Sequence, residues 1–240
     1  MRVAMWSGPR NLSTAMMYSF AARGDCAVWD EPFYAAYLAA TGVDHPMREQ
    51  VIAAGETDPA AVARACTAPV PDGQSLFYQK HMTLHLIDGF PRDWLDRVTN
   101  AFLIRHPARV VASYARKREA PVLADIGFLQ QAELFDRIAD RTGTAPVVVD
   151  SADIRARPAA MLRALCGALG IAYTDRMLSW PAGPKPCDGV WAPHWYGAVH
   201  ASTGFDAAEG PLPELSGDYA RLADAALPAY ERLAGFSLRA

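Results

Sequence analysis

Short, continuously apolar runs alternate with stretches of helical periodicity along this chain. Apolar positions three and four residues apart predict four helices, and a fifth is predicted to begin at Pro107 and to run into 116–118. Strands that are apolar throughout are typical of parallel sheets covered on both faces. The pattern therefore predicts a three-layer α/β fold, a parallel sheet of about five strands flanked by helices. The predicted strands are 3–6, 26–29, 76–79, 98–104 and 147–149, and the four helices are 12–24, 125–141, 158–170 and 219–233.

Charged residues follow the predicted strands at the points where the strands end. Arg10 comes after the first strand, Glu31 after the second, Lys80 and His81 after the third, and Arg105 after the fourth. The carboxyl ends of parallel strands meet at one edge of the sheet, where ligands bind in open α/β folds. We therefore expect these side chains to share one rim and to form a site there.

The turn between the first strand and the first helix is predicted to hold an anion. Its backbone N–H groups and the positive end of the helix dipole converge on one point. A Walker A loop would have glycine and lysine where this chain has Ser13 and Thr14, counting from Gly8, so the parts for a magnesium-bound triphosphate are missing. The residues of this predicted phosphate loop are Gly8, Pro9, Arg10, Asn11, Leu12, Ser13 and Thr14.

Two segments lack a regular pattern and are predicted to contribute to substrate binding. The first, 34–75, has only weak helical stretches near 34–40 and 59–65; because compact domains rarely carry long irregular insertions, we interpret it as a lid. The second, 180–210, is rich in proline and aromatic residues and is expected to cross the rim as a loop over the active site. Its Trp191, Trp195 and Tyr196 suit an acceptor with an apolar or ring-bearing group.

Composition narrows the classes of protein that the chain can represent. Its 240 residues are 51% apolar and 20% charged, as in a globular protein, and they are interpreted as a single domain over 1–240. The net charge of −3 argues against nucleic acid as a partner, and no run approaches the ~18 apolar residues of a membrane span. No signal-peptide layout precedes the first strand, and nothing indicates a homo-oligomer. The cysteines are isolated, which predicts reduced thiols in a cytoplasmic protein with neither a zinc site nor disulfides.

Two motifs resemble the signatures of the sulfotransferase family. Arg105 ends the fourth strand, Pro107 starts the next helix and Ser113 follows Arg105 by eight residues, as in the family's second signature. The sequence Pro-Arg-Asn-Leu-Ser-Thr over 9–14 resembles the first signature, Pro-Lys-Ser-Gly-Thr-Thr, with arginine in place of lysine. The segment 149–170 is also similar to the family. The resemblance covers about 1–32 and 76–170 and implies a P-loop-like, nucleotide-kinase-like fold.

The resemblance also implies a donor and its binding residues. Family members use 3′-phosphoadenosine 5′-phosphosulfate without a metal ion and transfer its sulfuryl group to a hydroxyl or amine of a small-molecule acceptor. The first signature would bind the 5′-phosphosulfate, and Arg105 and Ser113 would bind the 3′-phosphate. The family's C-terminal Arg-Lys-Gly loop is absent, and Lys185 or the segment 202–205 would take its place. Ser151 falls where the family often places an aromatic residue against adenine, which leaves the adenine contact unassigned.

The catalytic groups are predicted from the same rim. Arg10 and Lys80 would stabilise the leaving phosphate, and a base must take the acceptor's proton. Glu31 is one candidate, by similarity to the carboxylate-using branches of the family, and His81 is the other, by similarity to cytosolic members with Lys-x-His. Neighbouring residues on a strand point to opposite faces, which disfavours His81 if Lys80 faces the donor, and we favour Glu31. Asp30 is its rival.

Two other functions remain open from the sequence. A kinase-like phosphotransferase would share the architecture, but it needs the missing Walker lysine and a magnesium carboxylate. A non-catalytic nucleotide-binding protein of the same fold is the other, and the acidic and basic groups kept at the rim argue against it. Three other histidines, His85, His194 and His200, are predicted to be ordinary surface or loop side chains.

Overall fold

Five parallel strands form the central sheet in the computed structural model, which describes residues 1–116 and 121–240. Their order across the sheet is β2-β3-β1-β4-β5. The predicted parallel sheet of about five strands is therefore confirmed, because each apolar run supplied a strand. The strands are β1 (Arg2–Ser7), β2 (Cys26–Asp30), β3 (Leu76–Met82), β4 (Thr99–Ile104) and β5 (Val147–Asp150).

Helices connect the strands, and most of them follow the predicted periodicity. The helix predicted over 125–141 is divided at Gly127, which adopts φ +71°. The helix from Pro107 ends at Tyr114, and its predicted continuation to Lys117 and Arg118 lies outside the described residues. None of the described helices combines the length and apolar character needed to cross a bilayer. These helices are α1 (Ser13–Ala21), α2 (Tyr34–Thr41), α3 (Arg48–Ala54), α4 (Pro59–Cys66), α5 (Pro107–Tyr114), α6 (Leu123–Ile126), α7 (Phe128–Thr142), α8 (Ser151–Ala156), α9 (Pro158–Leu169), α10 (Ala192–Trp195), α11 (Gly197–His200) and α12 (Gly217–Ala234).

Apolar cores cover both faces of the sheet. Alternate residues of β1 point to opposite sides: Val3 and Met5 pack with α1 and α9, whereas Ala4 and Trp6 pack with α4, α7 and α12. All four side chains are fully buried. A strand enclosed on both sides cannot alternate with polar residues, which explains the continuous apolar runs of the sequence.

The insertion over 34–75 divides into two parts with different neighbours. Val62 and Cys66 of α4 pack into the core on the second face of the sheet. In contrast, Leu38 of α2 and Val51 of α3 pack against the segment that carries Trp191 and Tyr196. Of the insertion, α2 and α3 therefore pack against the proline- and aromatic-rich segment 180–210, which we call the aromatic loop. In contrast, α4 belongs to the layer that covers the sheet.

Candidate active site

The turn after β1 has an unusual backbone. Arg10 and Leu12 adopt φ +64° and +72°, conformations that cost ~1–3 kcal/mol each for a residue with a side chain and that cluster at functional sites. A Cβ at Gly8 would lie 2.7 Å from the Ile126 carbonyl oxygen, so glycine is required for this close approach. No side chain caps the start of α1 at Ser13, and its first turn has no acidic residue. The turn therefore keeps backbone N–H groups for an anion.

A cavity of about 320 Å³ lies at the carboxyl edge of the sheet, beside this turn. It brings together residues from the ends of several strands, as the sequence predicted. Nine of the predicted site residues line it: Pro9, Arg10, Asn11, Leu12, Ser13, Thr14, Glu31, Lys80 and Arg105. Other lining residues are Tyr34, Tyr37, His45, Met82, Leu84, His85, Ser151, Arg155, Trp195, Tyr196, Val199, Ser202 and Gly204.

Three of the predicted donor-binding residues contact one another at one end of the cavity. Arg10 Nε donates a hydrogen bond to Ser113 Oγ at 3.0 Å, and Arg105 Nη1 donates to the Arg10 carbonyl oxygen at 2.7 Å. Burial and the neighbouring Arg105 guanidinium lower the pKa of Arg10. The Arg10 guanidinium thus lies against Ser113, on the side predicted for the 3′-phosphate, while the Arg10 backbone remains part of the phosphate loop.

Glu209 fills the space between three arginines at the same end, which we call the arginine cluster (Arg105, Arg109 and Arg155). Its Oε1 accepts a hydrogen bond from Arg155 Nη1 at 3.0 Å and also pairs with Arg105. Arg109 Nε lies 3.0 Å from Oε2, and the Glu209 side chain is only 4% exposed. Sequence reasoning missed Glu209, because its segment has no periodicity or motif.

A second buried charge network lies at the other end of the cavity. The Lys80 ammonium, which is 1% exposed, donates to Asp30 Oδ1 at 2.8 Å, to Glu31 Oε1 and to the Tyr196 hydroxyl at 2.9 Å. The Tyr196 hydroxyl in turn donates to Asp30 Oδ2 at 2.7 Å and accepts from Trp191 Nε1 at 3.0 Å. The aromatic loop is therefore fastened to the end of β2 through Tyr196, while Trp191 packs behind it.

The pKa values of Glu31 and Lys80 in this network are both raised, for different reasons. Burial raises the pKa of Glu31 above its ordinary value, although the Lys80 ammonium opposes the shift. Burial also disfavours the charged form of Lys80, but Asp30 and Glu31 outweigh it and raise the Lys80 pKa. Glu31 adopts φ +43°, and its backbone N–H still pairs with the Lys80 carbonyl oxygen at 2.9 Å. The site thus holds a permanent cation beside a carboxylate that can bind and release a proton.

The structure places His81 away from the cavity. In the parallel register Lys80 lies opposite Met5 and His81 opposite Trp6, so the two side chains occupy different faces of the sheet. The His81 ring stacks on Trp6 with centroids 4.4 Å apart, and burial lowers its pKa to about 3. Lys80 is therefore the residue of this pair that faces the rim.

His85 lies at the cavity, where we did not expect it. The prediction that it is an ordinary surface or loop histidine is wrong: it is buried, it lines the cavity, and its Nδ1 is 3.8 Å from Glu31 Oε2. Its ring stacks on Tyr34 and Tyr37, with centroids 4.5 and 4.9 Å away. Burial lowers the His85 pKa well below its ordinary value, so this aromatic wall is uncharged at neutral pH.

Lys185 is separated from the other predicted donor-binding residues. Its ammonium lies 5.1 Å from the ring centroid of Tyr18 on α1, and it does not line the cavity. Ser202 and Gly204, from the alternative segment 202–205, do line it, as does Ser151. Over 1–116 and 121–240, no three histidine, cysteine or carboxylate side chains form a group that could hold a metal ion.

Comparison with known proteins gives relatives in sequence and in structure. A family model described as a sulfotransferase domain matches residues 1–236. Branched-chain-amino-acid aminotransferase-like proteins 1 and 2 of Arabidopsis thaliana are both 36% identical to this chain, over 95% and 85% of its length. The chain spans 40% and 36% of the length of these two proteins.

Two solved structures are similar over most of the chain. They are a sulfotransferase domain from the curacin biosynthetic pathway, at 16% identity, and one from the Synechococcus PCC 7002 olefin synthase, at 17%. Each match covers 93% of this chain and has a TM-score of 0.49. The matches cover 96% of the curacin-pathway domain and 93% of the olefin-synthase domain.

Proposed function

This chain belongs to the sulfotransferase domain family, and we propose that it is a sulfotransferase that uses 3′-phosphoadenosine 5′-phosphosulfate as donor and a hydroxyl or amine of a small molecule as acceptor. The observation that carries this proposal is one cavity joining a phosphate-type loop, a set of arginines and a buried lysine–carboxylate pair. Such a cavity suits a donor with two separated phosphorylated positions next to a reacting centre.

The arginine end supports the binding of the donor's 3′-phosphate. Arg105 and Ser113 are the residues that the family resemblance assigns to this phosphate, and Arg10 links them. The Glu209 carboxylate already occupies the arginine cluster. The charge and the hydrogen-bonding geometry of these arginines therefore accommodate a buried anion. Guanidinium groups bind phosphate through paired N–H donors, which favours such a site for a phosphate monoester.

The turn after β1 and Lys80 suit the 5′ end of the donor. The backbone N–H groups at the start of α1 would hold the 5′-phosphate, and the Lys80 ammonium would stabilise the charge that this phosphate gains as leaving group. Asp30 keeps Lys80 charged and fixed at 2.8 Å. Arg10, also predicted for this role, would contribute through its backbone, because its side chain turns to Ser113.

Glu31 is our choice for the catalytic base. In the transfer, the acceptor oxygen or nitrogen bonds to sulfur, the bond from sulfur to the bridging phosphate oxygen breaks, and the acceptor's proton passes to a Glu31 carboxylate oxygen. The raised pKa of Glu31 favours this proton transfer, since a base works best with a pKa near the working pH. Glu31 lines the cavity and His81 does not, which supports Glu31 over His81 as the base.

The acceptor half of the cavity is aromatic and apolar. Tyr34, Tyr37, His85 and Trp195 line it next to Glu31. Its one described cation, Lys80, is paired with two carboxylates. This composition favours an uncharged acceptor with a ring or an apolar body.

Calorimetry with two nucleotides tests the donor assignment. We expect 3′-phosphoadenosine 5′-phosphate to bind without a metal ion and more tightly than ATP with magnesium. Tighter binding of ATP with magnesium would refute the proposal in favour of a kinase-like phosphotransferase. Mass spectrometry of a panel of phenols, alcohols and amines incubated with donor would then identify the acceptor class, and sulfation of none of them would favour a nucleotide-binding protein without activity.

A further inference from the structure

Glu209 is the buried side chain of an otherwise exposed segment. Residues 206–208 and 210–212 are exposed, and residues 205–216 contain no helix or extended strand. The Glu209 side chain points inward and is 4% exposed. Phe205 and Leu215 pack against apolar cores on either side, but the exposed stretch 206–212 gains little from apolar burial, so its position depends on the polar contacts that it makes.

These contacts converge on the arginine cluster. In the part of the chain that the structure describes, the hydrogen bonds and ion pairs that residues 206–210 make with the rest of the protein all go to Arg105, Arg109 and Arg155. Arg155 Nε donates to the Ala207 carbonyl oxygen at 2.9 Å, Arg109 donates to the Gly210 carbonyl oxygen, and the Glu209 carboxylate contacts all three arginines.

Two members of the arginine cluster also face the cavity in which the donor is proposed to bind. Arg105 and Arg155 line the cavity, and Arg105 also holds the backbone of the phosphate loop at Arg10. Two anions can therefore bind the same site. One is the Glu209 carboxylate, with a single negative charge, and the other is the 3′-phosphate, which carries close to two negative charges at neutral pH. A phosphate also offers three acceptor oxygens to three guanidinium groups, whereas a carboxylate offers two.

We propose that Glu209 and the donor's 3′-phosphate compete for the arginine cluster, so that Glu209 leaves when the nucleotide binds and returns when the product nucleotide departs. This inference rests on the proposed function. Competition from Glu209 weakens the binding of donor and product alike, and it hastens release of a product that three arginines would otherwise hold tightly. Product release limits turnover in many enzymes, which gives such an internal competitor a clear use.

The binding test compares two nucleotides that differ only in the 3′-phosphate. If Glu209 occupies the cluster in nine of ten molecules, Glu209→Gln tightens 3′-phosphoadenosine 5′-phosphate binding by about tenfold, because apparent affinity scales with the competent fraction. Binding of 5′-AMP stays within about twofold, since it does not reach the cluster. Glu214→Gln, in an exposed position of the same segment, is the matched control and leaves both affinities unchanged.

Each other outcome of this titration overturns one specific statement. Unchanged or weaker binding of 3′-phosphoadenosine 5′-phosphate by Glu209→Gln would mean that Glu209 orients the arginines, and the competition would be refuted. Failure of the unmodified protein to prefer this nucleotide over 5′-AMP would instead refute the proposed donor.

Cleavage by a glutamate-specific protease gives an independent measurement that needs no variant. Addition of 3′-phosphoadenosine 5′-phosphate should accelerate cleavage after Glu209, because the displaced side chain enters solvent, whereas 5′-AMP should leave this rate unchanged. Unchanged or slower cleavage after Glu209 with 3′-phosphoadenosine 5′-phosphate would show that Glu209 stays in the arginine cluster, and would overturn the inference.

Discussion

Glu31→Gln is the variant that separates the chemistry of the site from its binding. The substitution keeps the shape of the side chain, and its amide oxygen can still accept a hydrogen bond from Lys80. Asp30 remains 2.8 Å from the Lys80 ammonium, so the cation stays paired and charged. What the variant loses is a group that can take a proton at the acceptor. We therefore expect turnover to be lost while the binding of 3′-phosphoadenosine 5′-phosphate stays intact.

The size of the loss follows from what a general base contributes. Proton abstraction by a positioned side chain is worth ~10²–10⁴ in rate, which corresponds to about 3–5 kcal/mol of activation free energy. The assay is release of 3′-phosphoadenosine 5′-phosphate at saturating donor, with the best acceptor from the panel described above. Asp44→Asn is the control, because Asp44 is an exposed carboxylate of the same insertion and should leave turnover unchanged.

The pH dependence gives a second readout with a definite sign. The base must be deprotonated to act, so kcat/KM of the unmodified enzyme should rise with pH through the raised pKa of Glu31. This limb should vanish from the residual activity of Glu31→Gln. The pKa of Glu31 in the folded protein is above its value in the unfolded chain. The stability that protonated Glu31 contributes is therefore lost as the pH rises from the unfolded-state pKa through the folded-state pKa. The variant should therefore gain stability relative to the unmodified protein over that range.

Two results would refute this reasoning. Near-normal turnover of Glu31→Gln would mean that another group takes the proton. A loss of nucleotide affinity of more than about tenfold, or ~1.4 kcal/mol, would mean that Glu31 acts mainly by holding Lys80 in place.

Three further substitutions test the neighbouring assignments. Arg105→Ala should weaken 3′-phosphoadenosine 5′-phosphate binding by at least ~1.5 kcal/mol in calorimetry, because it removes a charged hydrogen-bonding partner, and an unchanged affinity would contradict the 3′-phosphate assignment. Asp30→Asn should lower the unfolding free energy by ~1.5–3 kcal/mol in denaturant titration, since buried Lys80 loses one of its two carboxylate partners and keeps Glu31; a loss below about 1 kcal/mol would contradict this. His81→Phe should keep turnover near that of the unmodified enzyme, because the ring lies on the other face of the sheet, and a loss of more than about a hundredfold would argue for a catalytic His81.

The sequence by itself determined the strands and the edge at which the site lies. Both are local properties, because each depends on residues close together in the sequence: an apolar run, the turn that ends it and the charged residue that follows. Parallel strands then impose the rest, because all their carboxyl ends lie on one side, and this brought Arg10, Glu31, Lys80 and Arg105 to one cavity. The alternation of side chains along a strand also indicated that Lys80 and His81 diverge, as the register shows.

Only the tertiary structure decided which groups contact one another. Glu209 meets Arg105 across 104 positions and Tyr196 meets Asp30 across 166, and neither pair has a motif that links its members. His85 is buried because Tyr34 and Tyr37 from the insertion close over it, and Lys185 is excluded from the cavity because its loop packs beside α1. Such contacts depend on how irregular segments pack onto the finished sheet. Their energies come from burial and charge pairing between residues distant in the chain, which no local pattern records.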